Sequence, residues 1–324
     1  MRLVQYLGDD LGRRAAMVDG DRLIPMEGFD SVYRLAVWAI ENGRSMTEAV
    51  EKHLSAESIG YTDELTFLPA FDHPDERSRC LVSGTGLTHR KSAQQRNSMH
   101  TGVQTVTDSM RMYEWGVEGG RPKGDGIGTQ PEWFYKGNGY ILRGHNQALD
   151  IPWYGDDGGE ESELAGCYVI DWSNVPRRIG FAAGNEFSDH VMERKNYLYL
   201  APSKLRQCAI GPELVVDGPF EDVRGTARIE RGGETIWTKE LATGESHMCH
   251  SLANMEHHHF KYSAHRQAGD AHVHFFGAGA FSFGELALEE GDVMEVAFEG
   301  YGRPLRNTVR VQKDAPTLVR ALVL

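Results

Sequence analysis

The chain has 324 residues, a formal net charge of −13 and 40% hydrophobic residues, an ordinary globular composition with room for one large domain, or a large and a small one. So acidic a balance offers no basic field to phosphates and excludes nucleic acid as the main partner. It leaves an anionic small substrate open, because a bound cation inverts the local field. No run is long and apolar enough to span a bilayer, and the first residues lack a signal-peptide core. The four cysteines are scattered, without CxxC or zinc spacing, so reduced thiols in a cytoplasmic protein with no membrane partner are expected.

Residues 1–74 are expected to form a small N-terminal α/β module. Leu3–Leu7, Ala15–Val18 and Arg22–Ile24 read as short strands between Gly/Asp turns. Asp30 or Ser31 caps an apolar-periodic helix from Val32 to Ile40, which Gly43 stops, and Ser45-Met46-Thr47-Glu48 is a capping-box pattern opening a second helix. From 75 to 324 the texture is strand-rich. Expected strands are Arg79–Ser83, Tyr140–Leu142, Glu163–Ile170, Ile179–Ala183, Glu213–Val216, Gly225–Ile229 and Val293–Glu299, with Ser92–Trp115 mostly helical. Strand–helix–strand units do not recur, so the class is α+β and β-rich, a sandwich or roll and not a doubly wound parallel sheet.

The sharpest chemical feature is Gly159-Glu160-Glu161-Ser162-Glu163, leading into apolar Cys167–Ile170. Alternate side chains of a strand share a face, so Glu161 and Glu163 point the same way. Two carboxylates so placed repel unless a cation lies between them. Oxygen-only ligands suit Mg²⁺ first, with Mn²⁺ or Ca²⁺ as alternatives, and Glu186 in Gly184-Asn185-Glu186 can close the set. The competing explanation is a solvated acidic strand face. Gly124-Asp-Gly126-Ile-Gly128 lacks the Lys-Ser/Thr of a P-loop, so nucleotide binding is rejected. In Glu256-His257-His258-His259, read as a strand, His257 and His259 would share a face and could hold zinc or nickel; His272 and His274 repeat the alternation.

Several stretches in order carry a family resemblance: Glu161-Ser-Glu163-Leu-Ala, Gly180-Phe-Ala-Ala-Gly184-Asn185-Glu186-Phe-Ser188, Lys204, Ala209-Ile-Gly-Pro212, Gly291-Asp292-Val293 and Gly300-Tyr-Gly302-Arg-Pro. Over about 76–324 the chain resembles the fumarylacetoacetate hydrolase superfamily. With Tyr197–Lys204 it is similar to the branch that dehydrates 2-keto-3-deoxy sugar acids such as 2-keto-3-deoxy-L-arabonate. The resemblance implies a mixed β-sandwich roll, a Mg²⁺-dependent hydro-lyase forming a 2-ketoglutarate semialdehyde, and a homodimer or larger homo-oligomer acting on a small anionic 2-keto acid. It implies Glu161, Glu163 and Glu186 as metal ligands. The common pattern has Asp after the Asn, which leaves Asp189 as a substitute for Glu186.

The same resemblance points to Lys204 as the group that stabilises the enolate oxygen or removes the C3 proton, to Lys136 as holding the substrate carboxylate or tethering a metal ligand, and to Gly277 in a turn beside the substrate. His89, in the glycine-containing loop Gly84–Arg90, is a candidate proton carrier. In the hydrolase branches a histidine near here pairs with a glutamate in His-x-x-Glu. Here the third residue on is Ser92, which favours dehydration, although Glu114 or Glu193 could supply a carboxylate from elsewhere. The alternatives are a C–C hydrolase of an acylpyruvate or 2,4-diketo-3-deoxy acid, and a catalytically silent metal-stabilised binding protein.

Overall fold

The computed structural model describes residues 1–90, 93–94 and 107–324. The strands in chain order are β1 (Arg2–Leu7), β2 (Arg13–Asp19), β3 (Arg22–Pro25), β4 (Ile59–Gly60), β5 (Thr66–Phe67), β6 (Cys80–Gly86), β7 (Glu132–Asn138), β8 (Leu142–Arg143), β9 (Leu149–Ile151), β10 (Ser162–Ile170), β11 (Pro176–Asn185), β12 (Cys208–Val215), β13 (Val223–Arg231), β14 (Glu234–Thr243), β15 (Ala271–Phe275), β16 (Val293–Phe298) and β17 (Leu305–Val311). They form a large sheet in the order β4-β3-β2-β1-β12-β11-β10-β15-β6-β7, with β5 on β1 and β8 on β12, and a smaller one in the order β14-β13-β16-β17-β9. The architecture is α+β and strand-rich. The sheet runs unbroken past residue 74, because β1 pairs antiparallel with β12.

β10 shows why the large sheet lies at the centre. All nine of its residues are buried, as expected for a strand covered on both faces. Its side chains divide between two cores. Ala165, Cys167 and Val169 join the cluster under the helices Val32–Glu41 and Met46–Lys52. Leu164, Tyr168 and Ile170 join the cluster shared with the small sheet. Both helices start where their caps predict: Ser31 accepts from Arg34 N at 3.3 Å, and Ser45 and Glu48 form the capping box.

Three expectations need revision. Tyr140–Leu142 is a 3₁₀ turn, Gly139–Ile141, leading into β8, because the Asn138 side chain accepts from Tyr140 N and tightens the chain there. The His257–His259 run lies in the helix Leu252–Phe260, started by the Ser251 cap, and not on a strand. Of the expected helix over Ser92–Trp115, the part from 108 belongs to the helix Asp108–Gly119; residues 91–92 and 95–106 lie outside the described set. All four cysteines are buried and free, and no helix among the described residues is long and apolar enough to cross a membrane.

Candidate active site

Glu161 and Glu163 stand at the start of β10, and Glu186 just past the end of β11, the strand that pairs with it; Ser162 faces Asn185 in that pairing. The link continues beyond the strands, with Glu186 N donating to Glu161 O at 2.9 Å. An antiparallel pair therefore brings the three carboxylates together. Their ligand atoms lie within 4.8 Å of one another, and among the described residues this is the one group of three or more His, Cys, Asp or Glu side chains with that property. All three are buried, at 6%, 1% and 0% exposure.

Two ammonium groups share this enclosed space. Lys204, in the helix Leu200–Lys204, places Nζ 2.5 Å from Glu161 Oε1, 2.5 Å from Glu186 Oε2 and 2.9 Å from Ser188 Oγ, over the Phe134 ring at 4.7 Å. Lys136 on β7 reaches Glu186 Oε1 at 2.6 Å, Phe187 O at 2.6 Å and Lys204 O at 3.0 Å. An ammonium has three donors, and these contacts use them all. Lys136 is thus a tether for Glu186, and its assignment as a substrate-binding residue is corrected to that.

Burial raises the cost of every charge here. Glu161 stays well below the usual carboxylate range because Lys204 and His190 outweigh its burial. Glu163 meets no cation so directly: burial, then the charges of Glu186 and Glu161, push it well above that range. Glu186 is raised by burial and by Glu161, against the pull of Lys136 and Lys204. Of the three carboxylates, Glu163 is the one that neither ammonium group touches, and its charge is the most disfavoured.

The remaining sequence candidates separate. Gly277 N donates to Glu163 Oε2 at 2.7 Å, and Gly277 lines the mouth of the cluster with Gly86, Leu87, Ala278 and Phe281. Its φ of +98° and the Thr88 hydroxyl, 2.2 Å from where a Cβ would lie, both require glycine. His89 stands apart, lining a different cavity with Arg224 and His247. Its ring nitrogens meet the hydroxyls of Thr88 at 2.9 Å and Thr243 at 3.2 Å, and burial, with the nearby His247, holds its pKa down to about 3. Glu193 is buried in the helix His190–Lys195, where its charge acts on His190, and does not line the mouth. Asp189 caps that helix and pairs with Arg206 at 2.8 Å, so Glu186 and not Asp189 joins the cluster.

His257 and His259, about 200° apart around a helix, share no face. His259 instead accepts from Trp133 Nε1 at 3.2 Å, which fixes its proton on Nε2, donated to His272 Nδ1 at 3.0 Å. His274 is held between Ser83 and Thr85 hydroxyls, both at 2.8 Å. This is a neutral, hydrogen-bonded array, with burial lowering His272 and His274 to about 3.

Two residues escaped the sequence reading. His190 Nε2 lies 3.0 Å from Glu161 Oε1. Glu132 begins β7, whose buried positions 132, 134 and 136 share one face; two of these, Phe134 and Lys136, already touch the cluster. Its carboxyl occupies the space where a side chain on Gly86, at the mouth, would begin: a Cβ there would lie 1.9 Å from Glu132 Oε1. The period-two pattern of Glu132-Trp-Phe134-Tyr-Lys136 was the available signal.

A strap roofs the mouth. Gly277 is tied to Glu163, and Ser282 donates through N and Oγ to Glu160, both at 2.6 Å. Beneath it about 10 Å³ remains, room for about one water.

No protein-family model matches the chain. A probable 2-keto-3-deoxyxylonate dehydratase of Haloferax volcanii is 31% identical over 136 residues, 40% of this chain and 45% of that protein, so the match spans under half of that relative. A solved 2-keto-3-deoxyarabinonate dehydratase superposes with a TM-score of 0.70 at 18% identity, over 97% of this chain and 100% of its own. A 2-keto-3-deoxy-D-arabinonate dehydratase complexed with magnesium and 2,5-dioxopentanoate gives 0.69 at 18% identity and the same coverage. A 5-carboxymethyl-2-hydroxymuconate delta-isomerase from Mycobacterium smegmatis gives 0.60, also at 18%, over 97% of this chain and 100% of its own. These structural likenesses establish a shared fold, and the sugar-acid dehydratase resemblance read from the residues agrees with the curated relative.

Proposed function

We propose that the protein is a Mg²⁺-dependent dehydratase of a 2-keto-3-deoxy sugar acid, with the mixed β-sandwich roll of the fumarylacetoacetate hydrolase superfamily. The observation that carries this is the buried set Glu161, Glu163 and Glu186, three hard-oxygen donors held within 4.8 Å of one another beside two lysines. The donor chemistry fits the ion: carboxylates only, mutually repelling, with the charge on Glu163 disfavoured by burial and by its two neighbours as long as no cation lies among them. A Mg²⁺ held by Glu161, Glu163 and Glu186 would supply Lewis acidity toward the keto group of a 2-keto acid, making its C3 protons more acidic.

The chain's own groups supply the rest. With a divalent ion held by Glu161, Glu163 and Glu186, its charge together with those of Lys136 and Lys204 would suit the pocket to a substrate carboxylate. Lys204 sits at the mouth of the cluster with its three donors on Glu161, Glu186 and Ser188; an ion taking up the two carboxylates would free its Nζ to stabilise negative charge developing on the C2 oxygen. Glu132, beside Gly86 at that mouth, takes the C3 proton and returns one to the departing C4 hydroxyl, which leaves as water. For a 2-keto-3-deoxypentonate this gives a 5-hydroxy-2-keto-3-enoate, which becomes its isomer, a 2-ketoglutarate semialdehyde, when a proton leaves C5, one is added at C3 and the resulting enol ketonises. Entry of a five-carbon acid requires the Gly277–Ser282 strap to lift, because the roofed space is far too small for it. A cytoplasmic homodimer remains the expected form.

The C–C hydrolase alternative calls for a histidine–carboxylate pair. His89 lines a cavity apart from the acid cluster, with its ring nitrogens at the Thr88 and Thr243 hydroxyls, which separates it from the carboxylates and supports dehydration. The test is mass spectrometry after incubation with 2-keto-3-deoxypentonates and with an acylpyruvate, in Mg²⁺ and in EDTA. Metal-dependent loss of one water from a deoxypentonate is expected. Cleavage of the acylpyruvate with the deoxypentonates untouched would place the protein among the hydrolases, and metal binding without turnover of either would leave a binding protein.

A further inference from the structure

The helix His190–Lys195 serves more than the acid cluster. His190 and Arg194 lie four residues apart, on one side of it, and both line an open cavity of about 450 Å³. That volume is in the range of small-molecule sites. None of Glu161, Glu163, Glu186 and Lys204 lines this cavity; Gly158 and Gly159 form one side and the segment from Ser282 to Leu288 another.

Among the described residues, two groups on its wall have no hydrogen-bond or ion-pair partner at the atoms that matter here. His190 is 2% exposed; with Nε2 on Glu161, its Nδ1 is buried and meets no hydrogen-bond partner. The ring edge that carries this nitrogen packs against Gly159, where a Cβ would lie 2.1 Å from Nδ1, so a side chain at 159 would displace it. Arg194 is exposed, stacks over Phe283 at 5.3 Å and forms no ion pair among the described residues. The acids around the cavity are, by contrast, engaged. Asp156 pairs with Lys195 at 2.7 Å, Glu285 with Lys239 at 3.0 Å, and Asp157 accepts from Val191 N at 3.2 Å.

We propose that this cavity binds a small hydroxy-carboxylate, its carboxylate on Arg194 and its hydroxyl on His190 Nδ1. A guanidinium matches a carboxylate in charge and in geometry. A hydroxyl suits Nδ1 in either protonation state, because it can donate to a bare ring nitrogen or accept from a protonated one. Through Nε2 the occupied His190 then acts on Glu161, so the ligand changes metal affinity. This last link rests on Glu161 being a metal ligand; binding to the cavity does not.

The experiment titrates the Mg²⁺-loaded protein calorimetrically with 4-hydroxybutyrate, which lacks the 2-keto group that the acid cluster would require. Saturable binding to wild type is expected, weakened about tenfold or more in Arg194→Met and partly restored in Arg194→Lys, with dehydratase turnover unchanged in both variants. Binding should persist in Glu163→Gln. Absence of saturation in the millimolar range overturns the proposal, as does unchanged affinity in Arg194→Met, which would put the ligand elsewhere. Loss of binding in Glu163→Gln would place the probe on the acid cluster and also overturn it. Failure of the dehydratase assay leaves all these outcomes readable, so the two proposals fail separately.

Discussion

Replacing Lys136 with methionine tests the electrostatics of the cluster at its base. The substitution preserves bulk and removes one charge from a fully enclosed pair, both side chains being 0% exposed. Breaking such a pair costs on the order of 3–5 kcal/mol, mainly because the remaining charge stays buried. Lys204 and Ser188 still hold Glu186, which places this case near the lower figure, about 3 kcal/mol. Loss of a donor to Phe187 O and Lys204 O acts in the same direction. At roughly 2 °C per kcal/mol for a chain of this size, the unfolding midpoint in EDTA should fall by about 6 °C. Saturating Mg²⁺ should restore much of this by returning positive charge to the cluster; an ion at 100 times its Kd contributes about 2.7 kcal/mol. Circular dichroism melts in EDTA and in Mg²⁺ read both effects. The double variant Lys136→Met/Glu186→Gln, which leaves no orphaned charge, should melt above the single variant in EDTA. A single variant that melts with wild type in EDTA, or a double variant no better than the single, would refute the reasoning.

Glu163→Gln should abolish Mg²⁺ binding in calorimetry and metal-dependent turnover while slightly stabilising the metal-free fold, since it removes the carboxyl whose charge burial and its neighbours disfavour. Lys204→Met should retain the ion yet lose most turnover; retained activity would remove Lys204 from the mechanism. Glu132→Gln should lower kcat by about 10²–10⁴ with Mg²⁺ affinity unchanged, and a loss confined to KM would argue against proton transfer. In EDTA, stability should pass through a maximum near neutrality. Raised pKa values on Glu163, Glu186 and His190 mean the native state holds protons the unfolded chain has released, so their contribution is lost as pH rises. His89, His272 and His274, lowered to about 3, act oppositely, and their contribution is lost as pH falls below about 6.5. Melts from pH 5 to 8.5 should show Mg²⁺ stabilisation growing with pH; a constant increment would contradict a proton on Glu163.

Periodicity made the helices and the acidic pair legible. Ser31 and Ser45 announce the two N-terminal helices, and the same-face rule unites Glu161 with Glu163 before any coordinate is seen. Glu186 needed pairing as well as period, because an antiparallel register alone brings it beside Glu161. His257–His259 misled because adjacent histidines have no strong preference, and only the Ser251 cap marks a helix there. Lys136 was visible as a lysine but not as a tether, since its partners Phe187 O and Lys204 O are backbone groups supplied by distant segments. The same distance hid His190, whose partner lies 29 residues back across the fold.

The pairing of β1 with β12 has a consequence for how the chain is made. Arg2 faces Val215, so β1, once synthesised, must wait for about two hundred further residues before this neighbour exists. Until then β1, β2, β3 and β4 can form an open array with β5 on the far end of β1, and the Arg2–Val4 edge of β1 is left exposed to any other extended chain. Closure of so long a loop is slow, and the edge that waits for β12 belongs to the sheet that later supports β10 and β11. Assembly of the acid cluster is thereby tied to a late event on the ribosome, and a nascent chain stalled short of residue 208 would present a sticky strand with nothing yet to cover it.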